Sequence, residues 1–111
     1  MAIPSGSGTE VLKGLGVTYS SAATHTTLTA GANEIITLLS VTVTETASVA
    51  TNSISLKIDS QYLVSLVSLP SDGTFIFNDS IVFQAGDVFH IRTHAATEVM
   101  CYISYIVQDW S

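Results

Sequence analysis

The chain is 111 residues long; 47% of its residues are hydrophobic, only 11% are charged, and its formal net charge is −6. This length suits one domain, because either half alone would be too small to bury a sufficient core, and the high apolar content excludes an intrinsically disordered chain. The strong bases, Lys13, Lys57 and Arg92, are too few and too scattered to bind phosphates, so we expect neither nucleic acid nor an anionic membrane as a partner.

Residues 1–16 differ from the rest of the chain because glycine and proline interrupt them and no strand periodicity is visible. We predict that they form a flexible or partner-docking N-terminal arm. Ile3, Val11, Leu12 and Leu15 are the apolar side chains that could anchor such an arm on a neighbouring subunit. Segments of this kind lose entropy when they become ordered but can cover a large surface.

Hydroxyl-bearing residues replace charged ones over much of the sequence, which contains 15 Ser and 14 Thr. Thr is β-branched and favours extended backbone, and both residues can face solvent on a strand without a charge. The composition therefore indicates sheet. The shortage of charges also predicts that part of the surface is buried against copies of the chain or against a partner.

Residues 17–111 are predicted to form one antiparallel β-sandwich domain, either jelly-roll or immunoglobulin-like. Short apolar and β-branched segments alternate there with turn residues, and no segment has helical periodicity. The predicted strands are residues 17–19, 26–29, 34–46, 53–59, 62–69, 74–77, 81–83, 88–93 and 99–107. About eight short strands at such regular spacing are typical of a sandwich.

The longest predicted strand, residues 34–46, has an unusual distribution of apolar residues. Its second half alternates, with Leu39 and Val41 on the apolar face. In its first half, Ile36 and Leu38 are apolar on the face that later becomes polar. We expect this half to be covered on both sides, which makes Ile36 and Leu38 interface candidates.

The C-terminal segment contains the only cysteine and the only tryptophan of the chain. Cys101 has no partner for an intrachain disulfide or a cysteine-based zinc site, and we expect it to be a small buried hydrophobic residue. We expect Trp110 to be packed under the edge of the domain or in a pocket of a neighbouring subunit, which adds it to the interface candidates.

Targeting signals are not visible in the sequence. The first residues lack the basic and apolar regions of a signal peptide, and no apolar stretch approaches the roughly 20 residues that span a bilayer. We therefore expect assembly in a reducing cytoplasm.

The histidines are the candidates for metal chemistry. His90 and His94 share a strand face with Arg92, but positions four residues apart on a strand are about 13 Å apart, too far to hold one ion. A metal-dependent, cupin-like enzyme would need His25 to converge with both. We expect a polar face opposite a core face, with a histidine pH switch at a subunit contact as an alternative.

Motifs that carry catalysis are absent: the sequence has no glycine-rich phosphate loop, Gly-x-Ser-x-Gly or His-Glu-x-x-His. Most carboxylates fall in turns or at strand ends, where acids stabilise turns far more often than they hydrolyse glycosides or bind calcium. We predict that the protein is not an enzyme and has no catalytic residue, metal or cofactor.

Several segments distributed over the chain carry a family resemblance. They are the opening MAIPSGSGTEVLK, the strands at 40–44 and 53–58, the turn at 70–73 that leads to 75–77, the segment 81–87 with its Ala-Gly-Asp turn, and the end at 102–110. Together they resemble small β-sandwich virion structural proteins of marine tailed phages. The resemblance covers nearly the whole chain and is carried partly by turn motifs that also occur in other sandwiches.

This resemblance implies a structural subunit of the virion, assembled in the host cytoplasm. It favours a capsid decoration or cement protein that works through symmetric contacts and docking of the arm. A trimer is the favoured homo-oligomer, and the major capsid protein or other virion proteins are the implied partners. The alternative is a tail, neck or fibre component that acts as a receptor- or carbohydrate-binding module.

Overall fold

A computed structural model of the protein describes residues 9–46, 52–70 and 72–109. These residues form nine β-strands in two antiparallel sheets, which confirms the predicted β-sandwich. The strands are β1 (Thr9–Tyr19), β2 (Ala23–Thr29), β3 (Glu34–Glu45), β4 (Asn52–Ile58), β5 (Gln61–Leu69), β6 (Thr74–Phe77), β7 (Ile81–Gln84), β8 (Val88–Thr93) and β9 (Val99–Asp109). Across the described ranges there is no helix long and apolar enough to cross a membrane.

The strand order identifies the sandwich as a jelly roll rather than an immunoglobulin fold. One sheet has the order β1-β9-β3-β6, with β7 also paired to β3, and the other has the order β2-β8-β4-β5. Pairing proceeds from the two ends of the chain inwards: β1 with β9, β2 with β8, β3 with both β6 and β7, and β4 with β5. Because β6 and β7 pair with successive parts of β3, they act as one interrupted strand, and eight strands result as in other jelly rolls.

The core lies between the inner faces of the two sheets and follows from the alternation of side chains along each strand. On β8, Phe89 and Ile91 are buried while His90 and Arg92 are only half-buried, as the alternation predicts. The five-stranded sheet contributes buried aliphatic residues such as Ile103 to the same core. Removal of this apolar surface from water is the main favourable contribution to folding.

Ile36 and Leu38 belong to this core, so their assignment to an interface was wrong. Both are almost completely buried within the chain itself. The pairing of β3 with β9 shifts register between Leu38 and Ser40, which is a β-bulge. A bulge inserts one extra residue and reverses the alternation, so Ile36 and Leu38 share the inner face with Val41 although their sequence positions have the opposite parity.

The predicted arm also needs correction, because residues 9–16 are part of strand β1. Thr9–Tyr19 pairs continuously with β9 at the edge of the five-stranded sheet. Leu15 packs against the core, whereas Val11 is 46% and Leu12 70% exposed, so among the predicted anchors that the structure describes these two remain available to a partner. Ile3 and Trp110 lie outside the described residues.

The predicted turns are where the chain reverses. In the segment Gln84 to Asp87, the Asp87 amide donates to the Gln84 carbonyl at 2.8 Å, and Gly86 has a φ of 88°. That left-handed conformation is easily reached only by glycine. The Gly73 amide likewise donates to the Pro70 carbonyl at 2.8 Å.

Candidate interface surfaces

Apart from Glu10 at one end of β1, the described residues on the outer face of the five-stranded sheet are uncharged. Because Val99, Cys101 and Ile103 on β9 point into the core, Met100 and Tyr102 point outwards, and their cross-strand partners share that face. We call this surface the uncharged face. Its members are Leu12, Thr18, Ile35, Thr37, Ser40, Thr42, Thr44, Thr74, Ile76, Val82, Met100, Tyr102, Ser104 and Ile106.

Large apolar side chains are exposed on the uncharged face. Leu12 is 70% exposed, Val82 62%, Ile76 60%, Tyr102 55% and Met100 50%. Most of the large hydrophobic side chains that are exposed among the described residues therefore lie on one face. A concentration of this kind marks interaction surfaces in soluble proteins, whereas single scattered apolar residues do not.

Tyr102 and two glycines shape the centre of the uncharged face. Gly14 and Gly16 occupy β1 beside Tyr102, and a Cβ atom at Gly14 would collide with the Tyr102 hydroxyl. The tyrosine ring can therefore lie flat over β1. Next to it is an open groove of about 380 Å³, lined mainly by apolar surface, with Met100 and Thr42 in its wall.

The outer face of the four-stranded sheet has the opposite character because basic side chains meet on it. Lys57 on β4 is the cross-strand partner of both His90 on β8 and Tyr62 on β5. Arg92 follows His90 on the same face of β8, and His94 lies just beyond the end of that strand. We call Lys57, Tyr62, His90, Arg92 and His94 the cationic patch.

Tyr62 brings the two strong bases of the patch together. Arg92 Nη1 donates to Tyr62 Oη at 3.5 Å, and Lys57 Nζ lies 5.2 Å from the centroid of the same ring. A cation over an aromatic face is stabilised by the ring quadrupole. In the described part of the chain, neither base has a carboxylate within ion-pair distance. The three strong bases are far apart in the sequence, which predicted scattered charges. In the fold, two of them, Lys57 and Arg92, lie close together.

Beside the patch, β5 has an irregular backbone that exposes Leu66. This leucine has a φ of 53°, its side chain is 62% exposed, and it lies where the pairing of β4 with β5 shifts register between Val67 and Val64. The buried Ser55 hydroxyl accepts from the Leu66 amide at 3.0 Å and lies 3.3 Å from His94 Nε2. Burial is the main cause that lowers the pKa of His94, and the positive charge of Arg92 lowers it further. Nothing in the sequence signalled this bulge.

The three histidines do not converge, so the arrangement that a cupin-like metal site requires is not formed. His25 lies on the inner side of β2, stacked on Tyr19 with ring centroids 3.9 Å apart, and its Nε2 is 3.0 Å from the Thr93 hydroxyl. His90 and His94 lie on the outer side of the same sheet. Among the described residues, no group of three His, Cys, Asp or Glu could hold a metal ion.

Three of the carboxylates accept hydrogen bonds from backbone amides in or next to turns. Glu34 accepts the Gly31 amide at 2.8 Å, Asp59 accepts the Val88 amide at 3.0 Å, and Asp87 accepts the Gln84 amide at 3.2 Å.

Cys101 is 3% exposed, and its burial raises the pKa of the thiol to about 12. A thiol that stays protonated at neutral pH is a poor nucleophile.

Comparison with solved structures finds a similar fold. No protein-family model and no curated protein matches the chain. A solved structure of Bacillus endospore appendages, which are described as a novel family of disulfide-linked pili, contains a similar chain with a TM-score of 0.57 and 14% sequence identity. The match covers 100% of this protein and 97% of that chain. At this identity the likeness shows a shared fold over the whole length.

Proposed function

We propose that this protein is a structural subunit that assembles with copies of itself through the uncharged face. The particle that we propose is a tailed-phage virion, where the subunit would act as a capsid decoration or cement protein. This proposal is supported by the sequence resemblance and by the character of the uncharged face. The contribution of the protein is then mechanical, since many weak contacts that are repeated by symmetry add up through effective concentration.

The observation that best supports the proposal is the scarcity of charged side chains on the uncharged face. Two copies with a net charge of −6 each repel one another, and this repulsion is weakest when the surfaces that meet carry few charges. Among the described residues, Glu10 at one end of β1 is the charged residue with a strand position on the uncharged face. Exposed apolar side chains on that face supply area that contact would remove from water.

A second candidate function is a subunit of a pilus-like appendage, which the whole-chain likeness to an endospore appendage protein favours. Those appendages are described as disulfide-linked, and this chain differs from them in its capacity to form disulfides. The only cysteine of this chain, Cys101, is buried in the core, so an appendage built from it would be held together by non-covalent contacts. Electron microscopy separates the two candidates, since a decoration protein forms small closed oligomers and an appendage subunit forms filaments.

The first test places a carboxylate on the uncharged face. Ile76 and Met100 are both exposed, so Ile76→Glu and Met100→Glu should leave the fold intact but would bury an unpaired charge in the contact between subunits. We expect the wild-type protein to be a defined oligomer in light scattering coupled to size exclusion. Each variant should raise the dissociation constant of that oligomer at least about tenfold.

The matched control is Ser20→Glu, which adds the same charge at an exposed position outside both surfaces. It should assemble like the wild type. A wild-type protein that stays monomeric at high concentration would contradict the proposal, as would an oligomer that tolerates both substitutions on the uncharged face.

A further inference from the structure

We propose that the cationic patch is a docking site for the acidic end of a second copy of this chain. This inference rests on the proposed function, because it concerns a second contact within the same assembly. It assigns a partner to the cationic patch, which lies outside the uncharged face.

The patch has the composition of an interaction site rather than of a solvated surface. Lys57 and Arg92 converge on Tyr62 with no carboxylate of the described residues in ion-pair distance, although the chain as a whole is acidic. His90 lies directly opposite Lys57, and its Nδ1 is buried without a hydrogen-bond partner. Like charges held side by side repel each other, and an incoming anion would remove this repulsion.

Leu66 indicates that the anion belongs to a protein. Leucine rarely adopts a positive φ, and conformations of this kind persist only where the surroundings impose them, frequently at binding sites. Here the buried Ser55 hydroxyl, which lies 3.3 Å from His94 Nε2 of the patch, accepts from the Leu66 amide, and the leucine side chain stays exposed. Tyr and Arg are enriched in the energetic centres of protein interfaces, and an exposed leucine adds apolar area that a polyanion would not use.

Charge complementarity selects a second copy as the partner. Hydrogen bonds between neighbouring turns gather several carboxylates at one end of the sandwich: Asp59 is bound to Val88, the Ala30 amide donates to the Asp87 carbonyl, and Glu34 caps Gly31. Glu10 lies at the same end, since β1, β9 and β3 are in register there. We call these four residues the acidic end. Each caps a turn with one oxygen or is exposed, so carboxylate oxygens remain for another subunit.

The geometry of this contact has a structural consequence. A patch on one face and an acidic end are different surfaces, so the contact is heterologous and links copies head to tail. Surface ion pairs add little affinity individually, but they set orientation and the rate of encounter. We therefore expect the uncharged face to supply most of the affinity between subunits and the cationic patch to set their relative orientation.

The test reverses the charge of each surface separately. The patch variant is Lys57→Glu/Arg92→Glu. The end variant is Glu10→Lys/Ala32→Lys/Asp59→Asn, which adds positive charge at exposed positions and keeps an acceptor oxygen at residue 59 for the Val88 amide. In sedimentation velocity at low salt, each variant alone should associate at least about tenfold more weakly than the wild type. An equimolar mixture of the two should recover wild-type association, because each then carries the charge that the other lacks.

The control Lys13→Glu/Ser20→Glu makes the chain more negative at exposed positions outside the patch and should associate like the wild type. Recovery in the mixture also shows that both variants are folded. The inference is overturned if the patch variant associates normally, or if the mixture stays dissociated. Failure of the proposed function is a different result: Ile76→Glu and Met100→Glu would then have no effect on assembly.

Discussion

A single buried amide, Asn52, organises the end of the sandwich that lies opposite the acidic end. Its Oδ1 accepts the amides of His94 and Ala95, both at 3.0 Å, and its Nδ2 donates to the Ala95 carbonyl at 3.1 Å. The same Nδ2 lies 3.0 Å from the Thr97 hydroxyl, which donates to the buried Glu45 carboxylate. Buried polar groups are tolerated when they are satisfied in this way, and they then fix one conformation.

Asn52→Ala should destabilise the fold by about 3 kcal/mol, because several hydrogen bonds are lost and the amides of the loop after β8 lose their acceptor. The measurement is urea unfolding followed by circular dichroism, compared with Asn78→Ala at an exposed loop position. Asn78→Ala should change the free energy of unfolding by less than about 0.5 kcal/mol. Equal effects of the two substitutions would show that the Asn52 network is not formed.

At the scale of elements, the bulge in β3 decides which residues form the core. Without it, Leu39 and Val41 would share the inner face, as simple alternation predicts. With it, Leu38 and Val41 do, and Leu39 is only half-buried. The bulge therefore bends one long strand so that the first half pairs with β7 and the second with β6.

Truncation of the two neighbouring leucines tests the bulge. Leu38→Ala should cost about 3 kcal/mol, since Leu38 is fully buried and the substitution leaves a cavity. Leu39→Ala should cost about 1 kcal/mol or less. Midpoints of urea unfolding give both values. The opposite order would mean that β3 is regular and that Leu39 faces the core.

The sequence predicted the elements better than their arrangement. Strand positions and turns such as Gln84 to Asp87 depend on local alternation and turn chemistry, and these were confirmed. The jelly roll could not be separated from an immunoglobulin fold because strand order depends on pairing between distant segments. Gly14 and Gly16 made β1 look like an arm, whereas in the structure they make room for Tyr102.

The candidate interface surfaces could not be predicted from the sequence for similar physical reasons. Alternation fails at a bulge, so Ile36 and Leu38 were assigned to a surface although they are buried. Lys57 and Arg92 are distant in the sequence and become neighbours only when β4 pairs with β8 and β5. The uncharged face was anticipated only as a shortage of charges, since single residues on it look like ordinary strand Thr and Ser.

On the scale of the whole molecule, the structure divides its surface by charge. The outer face of the five-stranded sheet is partly apolar and carries Glu10 as its charged residue among those described. The outer face of the four-stranded sheet carries two of the three strong bases, and several carboxylates lie in or next to turns. Such a division suits a building block that meets its neighbours in fixed orientations. In our account the uncharged face supplies most of the contact area, and the cationic patch selects the orientation.

Hydroxyl-radical footprinting read by mass spectrometry can show whether the uncharged face is buried between subunits, because Met100 and Tyr102 are exposed, oxidisable side chains on that face. We expect both side chains to be oxidised readily in the dissociated protein and to become protected as concentration drives assembly. Ile76→Glu should keep them reactive at the same concentration. Equal oxidation of Met100 and Tyr102 in the dissociated and assembled protein would mean that the uncharged face does not lie between subunits, and the proposed assembly would be wrong.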